Sequence, residues 1–372
     1  MKIRNFMLKG LLFVMSALIL FTGCSRGDTV ETTDTSVIVE SLAETTKSQA
    51  PSETADRDYI KFKNPWKTGI EAETSDGKKI TLRTVEIDIA GDGAPIEIFQ
   101  ITDVHFNAYY NDEHSTVKAS YNEWGDIVEN SDDIIANYKR CINYAANADR
   151  IVITGDIMNF YSRANCDLVE KYVFNAKANI NSAMKAKIIA VCGNHDATLP
   201  GANNNKEIHK SNQEKVEALY KKYGQELKYY REVIDERVML IQMDNAMTND
   251  IASAHFTNEQ AALLETDIQT ARAKGYTVLL FYHIPLPSNN PEDIMQNYDG
   301  GMYKYSDADK KVYKTITNNA DVIKGCFAGH THADSYSEIV AKTSDGKKAF
   351  VPQYVLKALY LENGAMTKIT LK

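Results

Sequence analysis

Six short apolar runs constrain the fold of this chain more than any other feature: Ile96–Ile101, Ile151–Thr154, Lys187–Val191, Val238–Met243, Thr277–Tyr282 and Ile323–Phe327. Each is too short for a buried helix and too continuous for a strand with one wet face, so each reads as a strand covered on both sides. Longer helix-like stretches fall among them, at about Asp132–Ala148, Cys166–Met184, Lys206–Lys222 and Asn258–Ala273. Strands alternating with helices imply buried sheets with helices outside. Lys79–Ile89 and the runs from Ser335 to Leu371, with Ser344-Asp345-Gly346 and Asn363-Gly364 turns, read instead as antiparallel strands and hairpins. The architecture that accommodates both patterns is a sandwich of two mixed β-sheets flanked by helices. Phe106–Ser131 and Leu286–Lys310 are read as long loops, which at this length are usually functional or disordered.

Five of these runs end on chemistry. Asp103-Val104-His105, Gly155-Asp156, Gly193-Asn194-His195-Asp196, His283 and Gly329-His330-Thr331-His332 each directly follow an apolar run and together hold five of the eight histidines. In α/β sheets the crevice beyond the strand carboxyl ends is where ligands bind, so residues placed there by different strands can meet. Carboxylate, imidazole and amide oxygen without thiolate suit a borderline-to-hard divalent ion, with Mn, Fe, Zn, Co or Ni as candidates. Seven candidate ligands (Asp103, His105, Asp156, Asn194, His283, His330 and His332) are too many for one ion. Shared between two ions with Asp156 as the bridge, they give each ion four. Two carboxylate charges against those of two divalent ions leave a positive centre that attracts phosphate and holds a hydroxide.

The ordered set D-x-H, G-D, G-N-H-[DE], H and G-H-x-H resembles the pattern of the calcineurin-like metallophosphoesterase superfamily, over about Ile96 to His332. The resemblance implies a four-layer α/β/β/α sandwich and two divalent or mixed-valence metal ions. It implies that Asp103, His105 and His332 bind the first, that Asn194, His283 and His330 bind the second, and that Asp156 bridges them. His195 falls on the family's catalytic histidine, and Asp196 on the acidic residue that would orient its ring. Where the purple acid phosphatase branch has a tyrosine three residues after the Gly-Asp aspartate, this chain has Asn159. That places it with the plain, Dcr-type metallophosphatases, without a ferric phenolate. The reaction implied is hydrolysis of small phosphate monoesters by a metal-bridging hydroxide, with His195 stabilising the transition state or protonating the leaving oxygen. A phosphodiesterase acting on nucleotides is the alternative within that class, and a non-catalytic surface-binding lipoprotein is the alternative outside it. Phe106, Tyr109, Tyr110, Tyr121 and Trp124, with Tyr298, Tyr303 and Tyr305, are candidates for an apolar wall around the leaving group, and Gly300-Gly301 for a flexible point.

Composition bounds the partners. With 42 basic and 50 acidic residues the net charge is −8, so no basic excess exists to hold a nucleic-acid polymer, and no protein partner is indicated. The only apolar run approaching membrane length lies in the first 24 residues, behind Lys2, Arg4 and Lys9. It reads as an export signal ending in Leu20-Phe21-Thr22-Gly23-Cys24, which resembles a bacterial lipoprotein cleavage site. The expectation is therefore a signal peptide at 1–23, a disordered, acidic Ser/Thr-rich tether at 24–58, and a metallophosphoesterase domain at 59–372. The mature protein would lie outside the cytoplasm, anchored to the membrane through lipid on Cys24. Cys141, Cys166, Cys192 and Cys326 show no zinc-site spacing and indicate no disulfide.

Overall fold

The computed structural model describes residues 67–124, 131–202, 205–247, 255–288, 306–361 and 363–372. The chain divides into two units, Met1–Asp58 and Tyr59–Lys372, and every described residue falls in the second. The leader, Cys24 and the tether lie outside the described residues, as do Tyr298, Gly300, Gly301, Tyr303 and Tyr305. Among the described residues no helix is long and apolar enough to cross a membrane.

The first half runs β1 (Lys67–Glu73), β2 (Lys79–Ile87), β3 (Ile96–Ile101), α1 (Ser115–Trp124), α2 (Ser131–Tyr144) and β4 (Arg150–Thr154). Next come α3 (Arg163–Val169), a π-helical turn at Glu170–Phe174, α4 (Ala176–Asn179), β5 (Lys187–Val191) and α5 (Lys206–Lys222). The second half runs β6 (Tyr229–Ile234), β7 (Val238–Met243), α6 (Asn258–Lys274), β8 (Thr277–Phe281), α7 (Asp307–Thr317), β9 (Ile323–Ala328), β10 (Ser335–Lys342), β11 (Lys348–Val355) and β12 (Ala365–Leu371).

The strands form two mixed six-stranded sheets, ordered β1-β2-β12-β3-β4-β5 and β10-β11-β9-β8-β7-β6. β3, β4 and β5 are mutually parallel neighbours, as are β7, β8 and β9, so their carboxyl ends face the same edge of each sheet. The last strand, β12, returns to the middle of the first sheet, parallel to β2 and antiparallel to β3.

Alternation along each buried strand builds the layers. Ile96 and Ile98 of β3, Val152 of β4 and Ile189 of β5 pack between the sheets against Val238 and Leu240 of β7, Leu279 and Phe281 of β8 and Phe327 of β9. The intervening residues face outward. Phe99, Ile101, Ile151, Ile153, Ile188 and Ala190 meet Tyr138 and Ile142 of α2 and Val216 and Tyr220 of α5. On the other side Met239, Ile241, Val278 and Leu280 meet Leu264 and Ile268 of α6 and Val312 and Ile316 of α7. The result is the four-layer α/β/β/α sandwich read from the sequence.

Two segments read as loops contain helices. α7 is started by a capping box in which Ser306 and Asp309 satisfy each other's backbone amides, and it buries only Ala308, Asp309, Val312 and Ile316. The Cys166–Met184 stretch, read as one helix, is broken by the π turn and by Asn175, whose backbone leaves the helical region at φ −108°, ψ 30°. Cys141, Cys192 and Cys326 are buried and Cys166 half-buried, all as free thiols.

Candidate metal centre

All the motif residues sit at the carboxyl ends of five strands: β3, β4 and β5 in one sheet and β8 and β9 in the other. Backbone pairing continues past β3 and β4, since the amides of Asp103, His105 and Phe106 donate to the carbonyls of Gly155, Asp156 and Ile157 at 2.8–3.0 Å. Across the sandwich, the Gln100 side chain donates to the Ala328 carbonyl at 2.9 Å, tying β3 to β9 just below the site. Close approach of the loops requires glycine at two points. At Gly155, where φ is +94°, a Cβ would lie 2.3 Å from His283 Nδ1, and at Gly193 it would lie 2.1 Å from Asp156 Oδ1. Neither distance is sterically allowed, so the glycine ahead of each motif lets the neighbouring side chain reach inward.

Both carboxylates use one oxygen for positioning and turn the other to the centre. Asp103 Oδ2 accepts from Thr102 Oγ1 at 2.6 Å and from the His330 amide at 3.0 Å, while its buried Oδ1 has no hydrogen-bond partner among the described residues. Asp156 Oδ1 accepts from the His195 amide at 2.8 Å, and its Oδ2 lies 3.3 Å from His283 Nε2. The rings are aimed the same way. His105 Nδ1 donates to Asn159 Oδ1 at 3.1 Å and His283 Nδ1 donates to the Thr154 carbonyl at 2.8 Å. In each neutral ring that leaves Nε2 as a lone pair.

These lone pairs face other acceptors. His105 Nε2 is 3.1 Å from His332 Nε2, and His332 Nε2 is 3.3 Å from Asp103 Oδ1. His283 Nε2 is 3.1 Å from Asn194 Oδ1. Two groups of ligand atoms lie within 4.8 Å of one another, Asp103, His105, Asp156 and His332 in one and Asp156, His283 and His330 in the other, and Asp156 belongs to both. Converging acceptors, an orphaned carboxylate oxygen and a shared carboxylate fit a dinuclear metal centre.

The field and the backbone agree. Burial opposes charge on Asp103, yet His105 and His332 hold its carboxyl well below the usual range, and His283 and His195 do the same for Asp156. Burial also opposes charge on His283, but Asp156 and Asp103 carry its pKa up to about 10: the carboxylates favour a positive charge at Nε2, which is a proton when no ion is there and which a metal ion would replace to leave the lone pair as its ligand. Among the described residues seven non-glycine residues have positive φ, and five of them are Asp103, His105, Asp156, His330 and His332. Holding five such residues in the left-handed region is strain that the surrounding structure must sustain, and it is concentrated on ligand candidates.

The family profile of calcineurin-like phosphoesterases matches residues 96–334. The chain belongs to the calcineurin-like phosphoesterase family. The matched span begins with β3 and ends two residues beyond His332, so it contains every motif. A comparison with curated proteins gave no match. Among solved structures the chain is similar to a dimetal phosphatase from Danio rerio, with 14% identity and a TM-score of 0.41, over 71% of this chain and 87% of that one. It is also similar to a Staphylococcus aureus protein assigned as a 5'-nucleotidase, in complex with alpha-ketoglutarate, with 10% identity and a TM-score of 0.37, over 73% of this chain and 49% of that one.

His195, which the resemblance makes the catalytic candidate, stands at the edge of the centre, with 16% of its side chain exposed and Nε2 4.0 Å from Asp156 Oδ2. Burial holds its pKa down to about 4, despite the pull of Asp156. The ring is therefore neutral at physiological pH, and its Nδ1 donates to the Asn159 carbonyl at 2.9 Å. The structure differs here from what the resemblance implies for Asp196. Both oxygens of that carboxylate accept from backbone amides, of Met158 and Gly193, each at 2.7 Å. Asp196 thus clasps the β4 and β5 loops together, and the Asn159 carbonyl orients the His195 ring. Burial and Asp156 raise the Asp196 pKa to about 7 even against those two amides.

Sequence reasoning treated Asn159 only as a missing tyrosine, whereas its side chain steers His105 and its carbonyl steers His195. It also missed Tyr360, whose Oη is 2.9 Å from His332 Nδ1. Of the loop aromatics, Phe106 is wholly buried against Tyr138 and Tyr172. Tyr109 and Tyr121 pack with Phe160 and Leu199 in a satellite cluster, and Tyr110 is exposed and donates to Asp167 at 2.6 Å. Phe106, Tyr109 and Tyr121 are thus packed against neighbouring apolar side chains; the Trp124 side chain lies outside the described residues.

Proposed function

We propose that this protein is a hydrolase of small organic phosphate monoesters that works at a dinuclear metal centre. The observation that carries the reading is the pair of ligand clusters joined through Asp156 at the carboxyl edge of both sheets. Asp103, His105 and His332 would hold one ion, Asn194, His283 and His330 the other, and Asp156 both. When bound, such ions polarise phosphoryl oxygens and supply a nucleophilic hydroxide at neutral pH. The chain contributes the rest. The carbonyls of Thr154 and Asn159 and the Asn159 side chain fix the rings of His283, His195 and His105. His195, at the partly exposed edge of the centre, would take a proton from solvent on Nε2 as negative charge gathers and pass it to a departing oxygen. No serine or cysteine nucleophile is needed.

The test is turnover of protein reconstituted with Mn, Fe, Zn, Co or Ni in turn against a panel of mono- and diesters. Metal-dependent release of phosphate from small monoesters, faster than diester cleavage, is the expected result. Faster diester cleavage would move the assignment to a phosphodiesterase, and two bound ions with no turnover on any ester would favour a binding protein.

We infer further that the protein belongs with the plain metallophosphatases rather than the purple branch, because the side chain at position 159 is an amide already committed to His105 and Asn107. Loaded with iron, the protein is expected to lack the intense visible band of a tyrosinate–Fe(III) pair. Appearance of such a band would place a tyrosine on the metal and overturn the branch assignment.

A further inference from the structure

The three ring nitrogens turned away from the centre do not have equivalent partners. His105 meets a side-chain amide oxygen and His283 a backbone carbonyl, and both partners can only accept, so each ring is locked with its proton on Nδ1. His332 Nδ1 meets the Tyr360 hydroxyl, which can either donate or accept. Tyr360 comes from outside the family-matched span. Its place is set by the backbone, since the Leu359 amide donates to the Thr102 carbonyl at 3.0 Å, directly beside Asp103. Its ring also stands edge-on to both His105, at 5.3 Å, and His332, at 5.4 Å between centroids.

We propose that Tyr360 is a positioning residue for the first metal site: its oxygen accepts a hydrogen bond from His332 Nδ1–H and thereby holds the Nε2 lone pair toward Asp103 Oδ1 and His105 Nε2. The proposal rests on the dinuclear reading above. With the proton on Nδ1, the hydroxyl hydrogen of Tyr360 is left available to a second acceptor. With the proton on Nε2, the same hydroxyl donates to Nδ1, and Nε2–H lies 3.3 Å from Asp103 Oδ1. His332 is thus the one of these three rings whose tautomer its partner does not fix alone; an ion at Nε2 would leave the proton on Nδ1, where the Tyr360 oxygen accepts its hydrogen bond and holds the ring in place. Partners of this kind commonly change metal affinity by roughly 10–100-fold.

The test is Tyr360→Phe, which keeps the ring and removes only the oxygen. Cobalt and zinc titrations, read by absorbance and by metal analysis after dialysis, count the ions and their affinities without reference to turnover. The expected result is a weakening of one site by roughly 10–100-fold with the other unchanged. The nitrogen-15 resonances of His332 in the zinc-loaded wild type should report a proton on Nδ1. Tyr360→Leu, which loses the ring as well, should weaken the same site at least as much, so a packing role alone predicts little change in Phe and a large one in Leu. Two unchanged affinities in Tyr360→Phe would overturn the assignment while leaving the metal centre intact. Wild-type protein binding fewer than two ions would overturn both.

Discussion

Asp156→Asn should empty both metal sites at once and reduce turnover by more than the roughly 10²–10³-fold that loss of one preorganised electrostatic contact costs. The substitution is nearly isosteric, and an amide oxygen placed as Oδ1 still accepts from the His195 amide, 2.8 Å away in the wild type. What changes is the other arm. Asp156 Oδ2, 3.3 Å from His283 Nε2 and 3.8 Å from His105 Nε2, becomes an NH2 group that directs hydrogens at the two lone pairs. A donor then stands where both clusters share a carboxylate, and two cations lose their common negative charge. Metal analysis should find both equivalents lost together, while the far-UV circular dichroism keeps its wild-type form because no packed apolar group is touched. Two retained equivalents with full turnover would remove Asp156 from the bridging position.

What could be read in the sequence follows from what burial does to a pattern. β3, β5 and β7 lie in sheet interiors or under helices, and their runs of Ile, Val and Leu were legible to the residue. β1 and β6 are edge strands, and the exposed or half-exposed residues of Tyr229–Val233 leave no apolar run to find. Among the described side chains of α1 only Val117 and Ser120 are buried, so its helical period carries almost no signal. The ligand candidates were legible for a different reason: each carries its own short motif directly behind a strand, so no knowledge of the third dimension was needed to see it. Tyr360 and Asn159 lack that advantage. Tyr360 is 28 residues from His332, on a turn with no motif, and meets it only because Leu359 pairs with Thr102. The resemblance implied that Asp196 orients the His195 ring, whereas the chain turns there and both oxygens of its carboxylate accept from the Met158 and Gly193 amides.

Replacing His195 by Gln should leave both metals bound and still lower kcat by roughly 10²–10⁴-fold, the range for a positioned acid or base, with a smaller change in KM. The first half of that expectation follows from geometry, since His195 Nε2 is 4.0 Å from Asp156 Oδ2 and the ring belongs to neither ligand cluster. The second follows from its charge. Burial holds the ring neutral, with a pKa of about 4, so it would not wait as an acid but would take a proton from solvent as negative charge develops beside it. The Asn159 carbonyl keeps Nδ1–H occupied, so that proton can enter and leave only through Nε2. A nitrophenolate leaves readily as an anion and needs little of this help, whereas an alkoxide needs it fully. The loss in His195→Gln should therefore be much larger for an alkyl phosphate than for a nitrophenyl phosphate. Equal losses on the two would assign His195 to stabilising the phosphoryl oxygens instead of moving a proton. Loss of metal from the variant would put His195 among the ligands, and undiminished turnover on both substrates would take it out of the reaction.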